Sequence, residues 1–294
     1  MRVVAGIVSV TLLLLLAVHV ANVGADPTGR IAFVSTRSGN GDIYVMDWDG
    51  SRVTQVTRGP AVDHTPAWPP DGDRIAFCRT RDGNDDIFVI DADGRGEARQ
   101  LTSDPARDTH PTWSPNGRRI AFASDRTGNG DIYVMDEDGR DVTQITRGTG
   151  VDTDPAWSPD GDRIALSRSR HGGGSDIFVI DSRGGDPHRA TTEEADDSEP
   201  AWAPGAYRIA FARNFGRDTA IFCVGSDSVG MRMLAEHRGR DRDPSWAPGG
   251  KQIAFASNRD GDYEIYLMTD EGRDTRRLTS NRADDIEPSW TRYR

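Results

Sequence analysis

Asp108-Thr109-His110-Pro111-Thr112-Trp113-Ser114-Pro115-Asn116-Gly117 leads into Arg119-Ile120-Ala121-Phe122, then Asp131-Ile132-Tyr133-Val134-Met135-Asp136, then Val142-Thr143-Gln144-Ile145-Thr146. Four short apolar or β-branched runs alternate with Pro-Asn-Gly, Gly-Asn-Gly and Asp-Gly, which supply the positive-φ positions of tight turns. Runs such as Ile-Ala-Phe are apolar on both faces, as strands covered on both sides must be. The stretch reads as one four-stranded sheet.

The same unit recurs along the chain. Trp68, Trp113, Trp157, Trp202, Trp246 and Trp290 are spaced 45, 44, 45, 44 and 44 residues apart. Each has a Pro two positions earlier and an Asp five positions earlier. A strand-rich unit of about 40–45 residues is the mark of a propeller blade. The Ile-Ala-Phe element also occurs six times, from Ile31 to Ile253, with Ile164-Ala165-Leu166 as the variant copy. The fold expected is all-β, a six-bladed β-propeller of four-stranded blades. The repeat starts at Ile31 on a second strand and stops at Trp290 on a first strand. The C-terminal first strand is therefore expected to join the N-terminal three and close the ring, which removes exposed sheet edges.

The chain has 294 residues and a formal net charge of −11, with Lys251 its only lysine. An acidic surface argues against nucleic acid and against anionic membranes. Residues 1–25 differ in kind: Arg2 precedes an apolar run from Val3 to Val20, followed by Val23-Gly24-Ala25. This reads as a secretory signal cleaved after Ala25, with an uncleaved anchor as the rival. The expected organisation is a signal at 1–25 and a propeller at 26–294. No membrane span is expected after the signal. The protein is expected to be exported, periplasmic or extracellular, and a monomer. Cys78 and Cys223 lie in different repeats and read as two buried thiols.

The phrase Pro155-Ala156-Trp157-Ser158-Pro159-Asp160-Gly161, with its Ile-Ala-Phe, Asp-Ile-Tyr-Val-Met-Asp and Leu-Thr companions, resembles the WD-like (PD40) repeat of the TolB-like propeller family. The resemblance covers residues 30–294. It implies a propeller that binds a protein or peptide partner in the cell envelope. TolB carries a separate α/β domain before its propeller, for which there is no room between Ala25 and Arg30. Related repeats occur in oligopeptidases, yet no G-x-S-x-G elbow is present; Asp227 stands where the Ser would be.

Candidate binding residues fall around the channel. The Asp five before each Trp (Asp63, Asp108, Asp152, Asp197, Asp241, Asp285) is invariant, which favours a turn-fixing role over a ring of ligands. Three before each Trp stand Thr65, His110, Asp154, Glu199, Asp243 and Glu287; four before stand His64, Thr109, Thr153, Ser198, Arg242 and Ile286. An acidic arc flanked by His64 and His110 could dock a basic peptide or, as a rival, a divalent cation. No cofactor is otherwise expected. Arg37, Arg81, Arg126, Arg170 and Arg259 keep register with Asp42, Asp86, Asp131, Asp176 and Glu264, suggesting ion pairs across a turn that the fifth repeat, with Phe215 and Ala220, lacks. Asp47–Gly50, Asp91–Gly94 and Asp136–Gly139 read as hairpin turns. His171, His188 and His237 read as unpartnered loop residues.

The leading functional reading is a non-enzymatic binding propeller or scaffold. The alternative is a metal-dependent lyase or hydrolase using His64, His110, Asp154 and Glu199. A small-ligand sensor is a third.

Overall fold

In the computed structural model each repeat forms one sheet of four antiparallel strands. The structure describes residues 29–192, 194–235 and 238–291. The signal segment expected at 1–25 and His237 lie outside them. Six four-stranded sheets account for every strand described. In the third blade the strands are Asp108–Trp113, Arg119–Ser124, Asp131–Asp136 and Thr143–Gln144. The outermost strands are only two residues long in all six blades, which keeps the free sheet edges short.

The ring is closed as the sequence requires. Asp285–Trp290 pairs antiparallel with Arg30–Ser35, with Ile31 opposite Trp290 and Ser35 opposite Asp285. The Thr291 N–H donates to Arg30 O at 2.9 Å and the Arg30 N–H donates to Thr291 Oγ1 at 3.1 Å, which extends the joint. The inner strands touch one another in succession all the way round, Asp285–Trp290 meeting Val62–Ala67 across the seam.

The core lies between blades. Ile31, Ala32 and Phe33 and their five counterparts are fully buried. Each Trp packs against the preceding blade; Trp113, for example, clusters with Ala76, Ile87 and Val89. The indole N–H donates across the same interface: Trp68 to Ser289 O at 3.0 Å, Trp202 to Ala156 O at 3.0 Å and Trp246 to Ala201 O at 3.1 Å. In these three blades one aromatic side chain supplies both apolar area and a directional bond, and in every blade it supplies the apolar area that the fixed spacing serves. Cys78 and Cys223 are free and buried, in the second and fifth blades. The Asp-x-Asp-Gly segments are hairpin turns, Gly139 N–H donating to Asp136 O at 2.9 Å.

The ion pairs differ from the register expected. The invariant Asp of each inner strand pairs with an arginine of the second strand or the turn that follows it. Arg79, Arg168 and Arg213 fork onto Asp63, Asp152 and Asp197 at 2.6–2.8 Å. Arg126 and Arg259 reach Asp108 and Asp241 at 3.0 Å, and Arg37 reaches Asp285 at 2.7 Å; these three also bond a strand-end serine through Nε. The guanidinium comes from the fourth residue after the Ile in three blades and from the sixth in the others, where serine fills the fourth place. Both routes deliver it over the same Phe or Tyr rings. The fifth blade therefore keeps its ion pair, through Arg213 rather than the residue at Phe215. Only Arg170 approaches its expected partner, Asp176, at 3.6 Å.

The fifth blade departs elsewhere, and concertedly. In the first three blades the third-strand Asp binds a Gln and a Thr of the outer strand, as Asp131 does with Gln144 and Thr146. The fifth blade has Ala220, Met233 and Ala235 at these places. Phe215 lies beside the same strand, its ring centroid 6.0 Å from that of Phe222. Replacing a whole polar set at once leaves no buried group unpaired.

Candidate functional site

The residue three before each Trp sits immediately before Pro, where extended backbone is favoured. All six instead adopt left-handed backbone: Thr65, His110, Asp154, Glu199, Asp243 and Glu287 have φ between 49° and 57°. Each lies at a register shift between the inner and second strands. A bulge adds one residue to one strand and re-aims its side chain. Here it turns all six toward the ring axis, where they line a cavity of about 550 Å³ with the following Pro and Trp residues. Holding a non-glycine residue in this region costs on the order of 1–3 kcal/mol, sustained by the surrounding pairing in every blade.

The bulges also link neighbouring blades. The Asp243 N–H donates to Glu199 Oε2 at 2.7 Å, the Glu287 N–H to Asp243 Oδ2 at 3.2 Å and the Thr65 N–H to Glu287 Oε2 at 2.5 Å. Three carboxylates are thus held head to tail over consecutive blades, across the closure seam. Asp154 continues the arc, 3.2 Å from His110 Nε2. Burial first, and then the nearby Asp243 and Asp154 charges, push Glu199 well above the carboxylate range. Burial, opposed by Arg242 and reinforced by Glu287, raises Asp243 to about 6. Like charges this close and this desolvated do not all ionise readily.

The other candidates go elsewhere. The six invariant aspartates do not line the cavity; they are at most 1% exposed and committed to their arginines. His64 points away from it, toward Asp85 at 3.4 Å, which also accepts from Thr80 at 2.6 Å and Arg107 at 2.5 Å. Burial is the largest influence on His64 and opposes its charge, but the Asp85 bond and the nearby Glu287, Asp85 and Asp63 charges together outweigh it and the pKa rises; Asp85 is held well below the usual range, chiefly by His64. The set His64, His110, Asp154 and Glu199 is therefore not brought together. Among the described residues no group of three or more His, Cys, Asp or Glu side chains is placed to hold a metal ion. Of the loop histidines, His188 lies in an outer strand, 3.2 Å from Ser226 O, and is not unpartnered.

Arg242, one of the residues four before Trp, also belongs to the site. It lines the cavity with its Nε 3.1 Å from Asp243 and its guanidinium carbon 4.9 Å from the Tyr263 ring centroid. Its only signal in the sequence is being the lone long cation among the residues four before Trp.

Three comparisons bear on identity. Tol-Pal system protein TolB of Geobacter sulfurreducens is 49% identical over 45 residues, 15% of this chain and 10% of that protein's length. The crystal structure of TolB from Acinetobacter baumannii superposes with a TM-score of 0.78 at 24% identity, over 90% of this chain and 66% of that one. An oligogalacturonate lyase in complex with manganese superposes with a TM-score of 0.59 at 16% identity, over 87% of this chain and 74% of that one; such a likeness shows the fold alone. Residues 27–152 match the family described as PD40, TolB beta propeller domain. Residues 27–152 thus carry repeats of the PD40 type, and the ring of six blades is similar in fold to the TolB propeller.

Proposed function

We propose that this chain is an exported, non-enzymatic propeller that docks a basic protein or peptide segment at the acidic side of its channel. One observation carries the reading. The residue three before Trp is turned into the cavity by a bulge in every blade, and in four consecutive blades it is a carboxylate. An acidic, desolvated pocket attracts and orients a cationic partner more than a neutral one. The relatives are named for the Tol-Pal system, which supports a partner in the cell envelope. Export rests on residues 1–25, read as a cleaved signal.

A pull-down from the envelope fraction tests the docking. The wild type should retain a partner that an Asp154→Asn/Glu287→Gln variant loses. Equal recovery on both would end the reading. Intact-mass spectrometry of protein purified from the periplasm or medium should give a chain beginning at Asp26; an intact Met1 form at the membrane would replace export with anchoring.

A further inference from the structure

Arg242 is held unlike every arginine of the framework. Arg79, Arg168 and Arg213 each place two nitrogens on their aspartate, and Arg37, Arg126 and Arg259 add a serine to the carboxylate. Arg242 meets Asp243 through Nε alone, and that N–H is not aligned for a hydrogen bond. Its side chain keeps 33% exposure. The guanidinium lies over Tyr263, a residue that stands where the first and third blades have Gly41 and Gly130. The two departures from the repeat thus occur in the same blade and touch. Around the guanidinium are the carboxylates of Asp243, Glu199 and Glu287 and the Tyr263 hydroxyl; Asp154 and His110 complete the titratable lining.

A flat cation seated loosely between a carboxylate and an aromatic face marks what that place accepts. Guanidinium is preferred over ammonium there because it stacks on rings and is more weakly hydrated. We propose that the channel takes an arginine side chain of the partner in the seat that Arg242 fills in the free protein. Arg242 is then a tethered stand-in that swings aside when the partner enters. This rests on the docking reading above and names the side chain that docks.

Fluorescence of the tryptophans lining the cavity reports occupancy. L-argininamide and L-lysinamide are titrated into the wild type, Arg242→Gln and Arg242→Gln/Tyr263→Leu, each first checked for a wild-type circular dichroism spectrum and cooperative melting. Arg242→Gln should bind argininamide about tenfold tighter than the wild type, because the competing charge is gone. It should also favour argininamide over lysinamide, a preference the double variant loses. If the wild type binds argininamide and Arg242→Gln binds it no better, the stand-in is refuted and the docking reading survives. If neither binds at millimolar concentration, both fall.

Discussion

Arg213 and Asp197 form a two-pronged ion pair, 2.7 and 2.8 Å, with side chains 2% and 0% exposed. It lies in the blade whose sequence departs furthest from the repeat. The pair survives there because the inner strand carries the same Asp, five residues before its Trp, in every blade. Removing one partner leaves the other charge buried and alone. Arg213→Ala should therefore cost about 3–5 kcal/mol, measured by urea unfolding. A loss below about 1 kcal/mol would show that the pair is solvated.

The carboxylate arc should make the empty protein less stable as pH rises. Asp243 is raised from 3.8 to about 6, and Glu199 is raised as well. A carboxyl whose folded pKa is raised contributes its stability below the unfolded value and loses it as pH climbs through the folded one. Melting temperature should fall between pH 4 and pH 7, and Asp243→Asn should flatten that fall, by about 2 kcal/mol at neutral pH. Identical profiles for wild type and variant would contradict this.

Gly139 is confined by its neighbour as well as by its backbone. It has φ 89°, and an added Cβ would stand 2.5 Å from Leu101 O of the preceding blade. Gly128 has φ 99° and nothing within 4 Å. Gly139→Ala should cost more than about 1 kcal/mol, and more than Gly128→Ala, since only the first adds a clash to the strain. Equal costs in thermal unfolding would mean that the blades separate at that contact.

Closure is testable by deletion. Removing residues 285–294 takes away the strand paired with Arg30–Ser35, together with Trp290. It exposes the edge of that strand and uncovers the cluster around Ile31 and Phe33. The truncated chain should lose cooperative melting and associate on size exclusion. A monomer that melts as the full chain does would show that the ring holds without its joint.

The blades, their number and their closure are legible in the sequence because every strand and turn is a local, repeated pattern. The site is legible only in part. The residues three before Trp could be picked out by their variation, but each precedes a Pro, which favours extended rather than left-handed backbone. Nothing local told that His64 faces Asp85 while Arg242 faces the cavity.

The sequence by itself determined the ring: the Trp interval, the Pro and Asp before it and the incomplete repeats at Ile31 and Trp290 admit one arrangement. Tertiary structure alone decided the pairings across blades. Asp243, Glu287 and Thr65 pass their amides from blade to blade, the last of them to a partner 222 positions away in the chain. Such contacts depend on how six sheets are rotated about one axis, a relation that no stretch of 45 residues contains.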